Sequence, residues 1–398
     1  MTSSPPDSLE LGLSPELHDE LLRSGATVVE ELVESGGSGL RITPSSVAAL
    51  GRTLSILRTR ALPVRVSGTS DGPLPPPAGG AIVDLVKLDR IVNVDPRTCT
   101  ARVEAGCAVA ALETAALRAG CTLGPMLPSV RGGSVGAWLG GPTRGMRGVP
   151  GSRHETVALA LTSVLPDGRI AESRPAPRSS MGPDLDFLSL GGAGRLSVIA
   201  AAWMRLLPLG DVEVASFKAT SLERAIAAFE QLSLDRLAPV RARALVTPEG
   251  VRLAATWETP QTARLERIRA VRRLADAGLT LEPATQDAAA WVRSPSGPDA
   301  IEVDARWPGL REFARTEAAQ QPGAEVRVIG PWAGGSFAVV TAPGADADKT
   351  AALARQSSMR VISPRRLRDA GAGWPEMGAQ SAWKRLVKAL GAEERGRE

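Results

Sequence analysis

The 398-residue sequence predicts an α+β fold in two parts, one ending near residue 210 and a smaller one after it. Two observations lead there. Short strand-like runs joined by Asp-Pro or Asp-Gly turns recur between segments of helical period, which mixes strands and helices along the whole chain. Residue usage then changes: eight glycines fall between Arg131 and Gly151, whereas residues 211–398 contain no His, no Tyr and no Cys.

Each element follows from local pattern. Residues 1–38 are rich in Pro, Ser and Gly at both ends, with a short helical stretch from Pro15 to Leu32 between, and read as a peripheral arm. Thr43 and Pro44 suit the start of a helix whose Val47, Leu50, Leu54 and Leu57 share one face. A strand, Leu62 to Val66, runs into the Gly/Ser/Thr loop Ser67–Gly72, and another strand spans Ala81–Val86. A hairpin pairs Arg90–Val94 with Thr100–Glu104, and a helix over 108–119 is closed by Gly120. A second hairpin, Val157–Leu165 with Arg169–Glu172, turns at Asp167-Gly168. The apolar run Leu196–Leu207 ends the first half at Pro208.

The second half opens with a strand over Val212–Lys218 and a helix for which Thr220 and Glu223 form a capping box, with Leu222, Ala225, Ile226 and Phe229 inward. A hairpin joins Arg241–Val246 to Val251–Trp257, and Thr259-Pro260 opens a helix to Gly278 with Leu265, Ile268, Val271 and Leu274 as its apolar line. The arginines of that helix (264, 267, 269, 272 and 273) read as a solvated face. Strand, helix, hairpin, helix is the order of a ferredoxin-like sheet covered on one side. Further strands are expected at Ala300–Ala305, Glu325–Ile329 and Ser336–Thr341.

Composition excludes several classes. Lys+Arg 47 against Asp+Glu 43 leaves a formal charge of +4, and only five of the basic residues are lysine, a general arginine bias and not a binding patch. With aromatics at 3% there are too few platforms for base stacking, so nucleic acid is not an expected partner. No apolar run reaches the roughly 18 residues of a membrane span, and the first residues lack the basic start and apolar stretch of a secretory signal. Three cysteines (Cys99, Cys107, Cys121) without a CxxC pair argue against a disulfide framework or a zinc site and for inert thiols in a cytoplasmic setting. No metal is expected.

Motifs narrow the chemistry further. There is no phosphate-binding G-x-x-x-x-G-K-[ST] and no strict G-x-G-x-x-G. Gly132-Gly133-Ser134-Val135-Gly136 fits a nucleophile elbow, but His154 follows after only 20 residues, too few for the strands and helices between nucleophile and base. His154 itself reads as a loop residue. The stretch Val64-Arg65-Val66-Ser67-Gly68-Thr69-Ser70-Asp71-Gly72 is more informative. A strand ending in glycine and small hydroxyl residues turns successive N–H groups inward as an anion nest suited to a pyrophosphate, although an ordinary Gly/Ser turn has the same composition.

The order of motifs carries a resemblance. After the loop at 64–70 come I-V-D-L-x-x-L-x-x-I (82–91), V-E-A-G (103–106), L-P-S (127–129), S-V-G-x-W (134–138), V-L-P-D-G-R-I (164–170) and G-x-x-G-x-L-x-V-I (191–199). In that order over about residues 39–210, the chain resembles the FAD-binding flavoproteins of the vanillyl-alcohol oxidase/p-cresol methylhydroxylase family. Within it, Arg178–Asp184 is most similar to alkyldihydroxyacetonephosphate synthases, with glycolate oxidase FAD-binding subunits next. The resemblance implies a two-subdomain PCMH-type FAD-binding domain over 39–210 (about 39–105 and 106–210), followed by a reduced ferredoxin-like α+β cap over 211–398. It also implies FAD sites. The backbone of Val64, Arg65, Val66, Ser67, Gly68, Thr69 and Ser70 would grip the pyrophosphate. Pro128, Ser129, Gly132, Gly133, Ser134 and Gly136 would line the flavin side, and Gly141, Thr143 and Arg144 would continue along the cofactor. Gly194, Leu196, Val198 and Ile199 would close over it.

The departures are as specific. Val66-Ser67-Gly68 stands where the family has three glycines, and Gly191-Gly192-Ala193-Gly194-Arg195-Leu196-Ser197 lacks the usual glutamate. Neither a His in the first loop nor a Cys at Ser134 is present, so FAD is expected to be non-covalent. The second half lacks the Tyr and His groups of the synthases, and no catalytic residue stands out. Two functions follow. One is an FAD-dependent oxidoreductase taking a hydride from an alcohol or 2-hydroxy acid. The other is a catalytically degenerate FAD-binding or fold-only subunit partnering an active flavoprotein or an iron–sulfur protein.

Overall fold

A computed structural model describes residues 14–32, 38–68, 76–77, 79–141, 157–176, 186–192, 194–258, 262–283, 287–294, 300–329, 336–343 and 347–362. The first sheet is built by α1 (Pro15–Arg23), β1 (Ala26–Leu32), β2 (Ser38–Pro44), α2 (Val47–Thr59), β3 (Val64–Ser67) and β4 (Ala81–Asp84), in strand order β1-β2-β4-β3. The N-terminal segment is therefore more than an arm with one helix. Its Thr27-Val28-Val29 run, rich in the branched side chains that suit a pleated surface, makes β1, which pairs antiparallel with β2 from Ala26↔Pro44 to Leu32↔Ser38. This ladder also moves the start of α2. Thr43 and Pro44 are spent in β2, and Ser46 is the cap, its hydroxyl accepting the Ala49 N–H at 3.1 Å. The inward face holds as expected, with Leu50, Leu54 and Leu57 buried.

The second sheet follows from β5 (Ile91–Asp95), β6 (Thr100–Glu104), α3 (Val109–Arg118), β7 (Cys121–Thr122), α4 (Pro128–Arg131), α5 (Val135–Gly140), β8 (Ala158–Val164), β9 (Ile170–Glu172), α6 (Asp186–Ser189), β10 (Val198–Arg205) and β11 (Leu207–Pro208). Its order is β5-β6-β10-β8-β9, all antiparallel, with β7 paired to β11 alongside. Both expected hairpins form. The first of them belongs to this sheet and not to the earlier one, because β6 pairs with β10 from Ala201↔Glu104 to Arg205↔Thr100. The two sheets share one apolar core.

The remaining strands form a single antiparallel sheet of eight, ordered β15-β12-β14-β13-β17-β18-β16-β19. Its elements are β12 (Glu213–Ala219), α7 (Leu222–Leu234), β13 (Arg241–Thr247), β14 (Gly250–Trp257), α8 (Ala263–Asp276), β15 (Thr280–Glu282), α9 (Ala288–Arg293), β16 (Ile301–Ala305), α10 (Trp307–Arg315), β17 (Glu325–Ile329), β18 (Ser336–Thr341), α11 (Ala347–Gln356) and β19 (Arg360–Ile362). The chain order reads as two consecutive βαββαβ units, β12–β15 and β16–β19, each ferredoxin-like. They join edge to edge where β13 meets β17. The ferredoxin-like expectation thus holds and applies twice.

Two local expectations change. Ser221 and not Thr220 caps α7, accepting the Arg224 N–H at 3.2 Å, while Glu223 pairs with Arg315 from the second unit. On α8 the buried positions are Ala263, Ala270 and Leu274, and Leu265 is 56% exposed. Small alanines let this helix lie close to the sheet, which rotates the apolar line away from Leu265. The Thr259-Pro260 start lies outside the described residues. Helices α7, α8, α10 and α11 bury one face of the sheet around Phe217, Phe229, Trp257 and Phe313. No helix among the described residues is long and apolar enough to cross a membrane.

Candidate cofactor site

The C-terminal end of β3, the start of α5 and the turn before β10 come together. Gly68 lies so close to Ser134 that a Cβ there would stand 2.2 Å from the serine Oγ, and Ala137 is the next neighbour. Gly194 (φ +74°) turns beside Val66, where a side chain would meet the valine Cγ2 at 2.9 Å. Ser134 is fully buried and caps α5, its hydroxyl accepting the Ala137 N–H at 3.2 Å. Three segments distant in sequence, 64–68, 134–137 and 194, thus meet at one place. Thr69, Ser70, Thr143, Arg144 and His154 lie outside the described residues, as does Arg178–Asp184.

The other expected positions are distributed around this point. Pro128 and Ser129 open the single-turn α4. Along 132–141 the N–H groups are spent inside the protein: Gly132 donates to Pro128 O at 2.9 Å, Gly133 to Val130 O at 3.1 Å, Gly136 to Ala105 O at 2.7 Å and Gly141 to Ala137 O at 2.9 Å. Main-chain donation by these four glycines is therefore already used to close turns and to bring α5 against Ala105. Leu196, Val198 and Ile199 are buried, the last two within the shared core of the two sheets. Arg195 is exposed.

The second face of the eight-stranded sheet supplies residues that sequence reasoning missed. A row of opposed positions crosses it in register: Ser216, Ala254, Arg243, Arg327, Val339 and Glu302. Directly opposed residues of an antiparallel sheet present the same face, so this side is polar where the other is apolar. At its far end, Glu302 receives the Ser129 N–H on Oε1 at 2.8 Å and the Ser129 hydroxyl on Oε2. Nearby, Ile329 and Val339 join the core of the first half. In the centre, Glu325 is shared by Arg243, whose Nη2 donates at 3.0 Å, and by Nε of Arg327. Burial pushes the Arg243 guanidinium down, and Glu325 opposes that shift. Helix α9 covers the other end: Arg243 donates to Trp291 O and Ser294 Oγ, both at 2.8 Å, and the Trp291 ring lies between Arg243 and Arg252 at 4.4 and 4.6 Å.

These positions fit a long, flat cofactor. Glycine at 68 and at 194 lets the backbone come close there, against the Ser134, Ala137 and Val66 side chains. The indole N–H of Trp138, on the helix that Ser134 caps, is buried with no hydrogen-bond partner among the described residues. Burial pushes the Cys107 and Cys121 thiols up to about 11, which keeps both in the unreactive neutral form.

Residues 39–174 match the FAD binding domain family. The chain carries a PCMH-type FAD-binding domain, and FAD is its cofactor. Similar curated proteins include the alkyldihydroxyacetonephosphate synthase of Caenorhabditis elegans, 28% identical over 162 residues (40% of this chain and 27% of that protein). Another is the D-lactate dehydrogenase of Anaerostipes hadrus, 25% identical over 227 residues (56% of this chain and 46% of that protein). The matches thus span between about a quarter and a half of those relatives. A solved structure of alkyldihydroxyacetonephosphate synthase superposes with a TM-score of 0.67 at 15% identity, covering 98% of this chain and 85% of that one. This establishes the fold for the cap as well as for the FAD-binding domain. The domain is one found in FAD-linked oxidoreductases.

Proposed function

We propose that this protein is an FAD-dependent oxidoreductase that takes a hydride from an alcohol or 2-hydroxy acid on non-covalently bound FAD. The observations that support the reading are the convergence of 66–68, 134–137 and 194 in the first half and, separately, the contact of Glu302 with Ser129 across the seam. A D-lactate dehydrogenase among the relatives supports the 2-hydroxy acid class. Bound FAD supplies a two-electron acceptor. The protein's own contribution is to bind and orient.

Val64, Arg65, Val66, Ser67, Gly68, Thr69 and Ser70 hold the pyrophosphate from the end of β3. Ser129, Gly132, Gly133, Ser134 and Gly136 lie along the flavin, and since the amides of Ser129, Gly132, Gly133 and Gly136 are committed elsewhere, those four meet it through Cα and carbonyl contacts. Non-covalent binding follows from the absence of His in the loop at 64–72 and from Ser at 134. The polar face of the cap carries carboxylates and guanidiniums in place of imidazole and phenol, so proton handling falls to Asp, Glu or Arg.

The visible spectrum of the purified protein, followed by anaerobic addition of D- and L-2-hydroxy acids and simple alcohols, tests this directly. Flavin bands that bleach with one of these classes are expected. A colourless protein that stays colourless with added FAD removes the reading. Flavin that binds but is bleached by no member of these classes favours the degenerate subunit.

A further inference from the structure

We propose that Glu302 is a positioning residue for the cofactor. It is a buried carboxylate that fixes the flavin-side segment at Ser129 and sets the charge the flavin meets there, an inference that rests on the FAD site proposed above. The placement is rigid. Strand β16 lies between β18 and β19, with Glu302 in register against Val339 on one side and Ile362 on the other, so its backbone is held from both flanks. The residue is 7% exposed. A carboxylate taken that far out of water is costly unless strong donors meet it. Ser129 provides two, one from the main chain and one from its hydroxyl.

The partner is equally fixed. Ser129 follows Leu127 and precedes Val130, both buried in the core of the first half, so holding Ser129 holds the whole turn. The 173 residues between the two groups make this a tie between the cap and the FAD-binding domain and not a local turn.

The first unit of the cap shows that the fold does not require a charge here. In the row that crosses the sheet, Glu302 stands opposite Val339 as Ser216 stands opposite Ala254. Ser216 is also buried, yet it is a neutral hydroxyl with no hydrogen-bond partner among the described residues. At this one register position, a carboxylate is present only in the unit that touches the expected flavin-side segment; the nearest carboxylate of the first unit, Glu282, stands one strand over, opposite Ser216, and pairs with Lys218. A negative charge held beside a flavin opposes its reduction, so this residue bears on both affinity and potential.

The test uses the full chain, stripped of flavin and titrated with FAD, as wild type, Glu302→Gln, Glu302→Ala, Ser129→Ala and the double variant Ser129→Ala/Glu302→Ala. Circular dichroism verifies folding. Losing a charge-assisted pair is expected to weaken FAD binding about tenfold in Glu302→Ala. Glu302→Gln keeps an acceptor for the Ser129 N–H and loses less. The double variant loses less than the sum of the singles. The reduction potential of flavin bound to Glu302→Gln rises, which a purely structural role does not predict. Should Glu302→Ala fail to fold, the isosteric Glu302→Gln carries the test through potential and affinity. Unchanged affinity and potential in a folded variant overturn this inference alone, whereas a wild-type protein that binds no FAD overturns it together with the proposed function.

Discussion

Residues 213–282 and 301–362 each run strand, helix, hairpin, helix, strand, and each lays its two helices on the same side of the common sheet. Their other sides differ. Over the first unit the protein supplies its own cover: α9 packs on β12, β13 and β14, with Trp291 between two guanidiniums. Over the second unit no such helix stands among the described residues. There Ile329 and Val339 enter the core of the FAD-binding half, and Glu302 reaches Ser129. One framework used twice thus separates two tasks. On the proposed function, the half that covers itself serves stability, and the half left open by its own chain meets, at Ser129, the segment proposed to line the flavin.

The strongest way to break this comparison is at the join, where Arg243 faces Arg327 across the β13–β17 pairing and both share Glu325. Glu325→Ala leaves two buried guanidiniums without their carboxylate and is expected to cost about 3–5 kcal/mol. Urea unfolding followed by circular dichroism measures it. A loss below roughly 1 kcal/mol means the two units are held together by their apolar face alone.

The next two substitutions sharpen the division. Trp291→Ala removes a half-buried ring and its two stacked cations, for an expected loss of about 2–3 kcal/mol. FAD affinity should stay within about twofold, the scatter expected of a distant, independent site. Val339→Ala removes two methyl groups from the seam and costs about 1–2 kcal/mol. Here FAD affinity should fall severalfold, because the cap then seats less firmly on the domain that holds Ser129. Titration of both variants with FAD decides the matter, and the reverse pattern would refute the assignment of tasks.

Much of this architecture is legible in the sequence. Alternation marks the strands, and the ordered Gly, Ser and Pro motifs point to 64–70, 128–136 and 194 before any coordinates. What escaped is instructive. R-A-R-A-L at 241–245, E-V-R-V-I at 325–329 and I-E-V-D-A at 301–305 all alternate charged with apolar residues, the pattern of strands with one polar face. That pattern also describes a solvent-facing sheet, so only the pairing register reveals that Arg243, Arg327 and Glu302 fall in one buried row. The duplication of the cap escaped for a related reason. Its two units share order and register but little residue identity. The caps differ from the sequence expectation by small offsets, Ser46 in place of Thr43, because β2 runs on through Thr43 and Pro44, and Ser221 in place of Thr220, one residue beyond the end of β12 at Ala219.

The smallest effect concerns how α9 is fastened over the first unit. Glu258, just past β14, binds Arg241 of β13 at 2.7 Å and Arg293 at the end of α9 at 2.9 Å. Burial alone would push its carboxyl up, but Arg241 and Arg293 together outweigh that and hold it below the ordinary value. A carboxyl lowered on folding stabilises the native state above its unfolded value of about 4.3, and that contribution disappears as pH falls through the folded value. Stability of the wild type should therefore fall from about pH 4 downward by more than that of Glu258→Gln, the difference being about 1 kcal/mol for a pair still partly exposed to water. Urea midpoints for both proteins between neutral pH and about pH 3 measure it. Parallel curves would show that Glu258 does not fasten α9. A convergence on acidification, with FAD affinity at neutral pH unaltered by the substitution, would place this ion pair on the self-covered side of the cap.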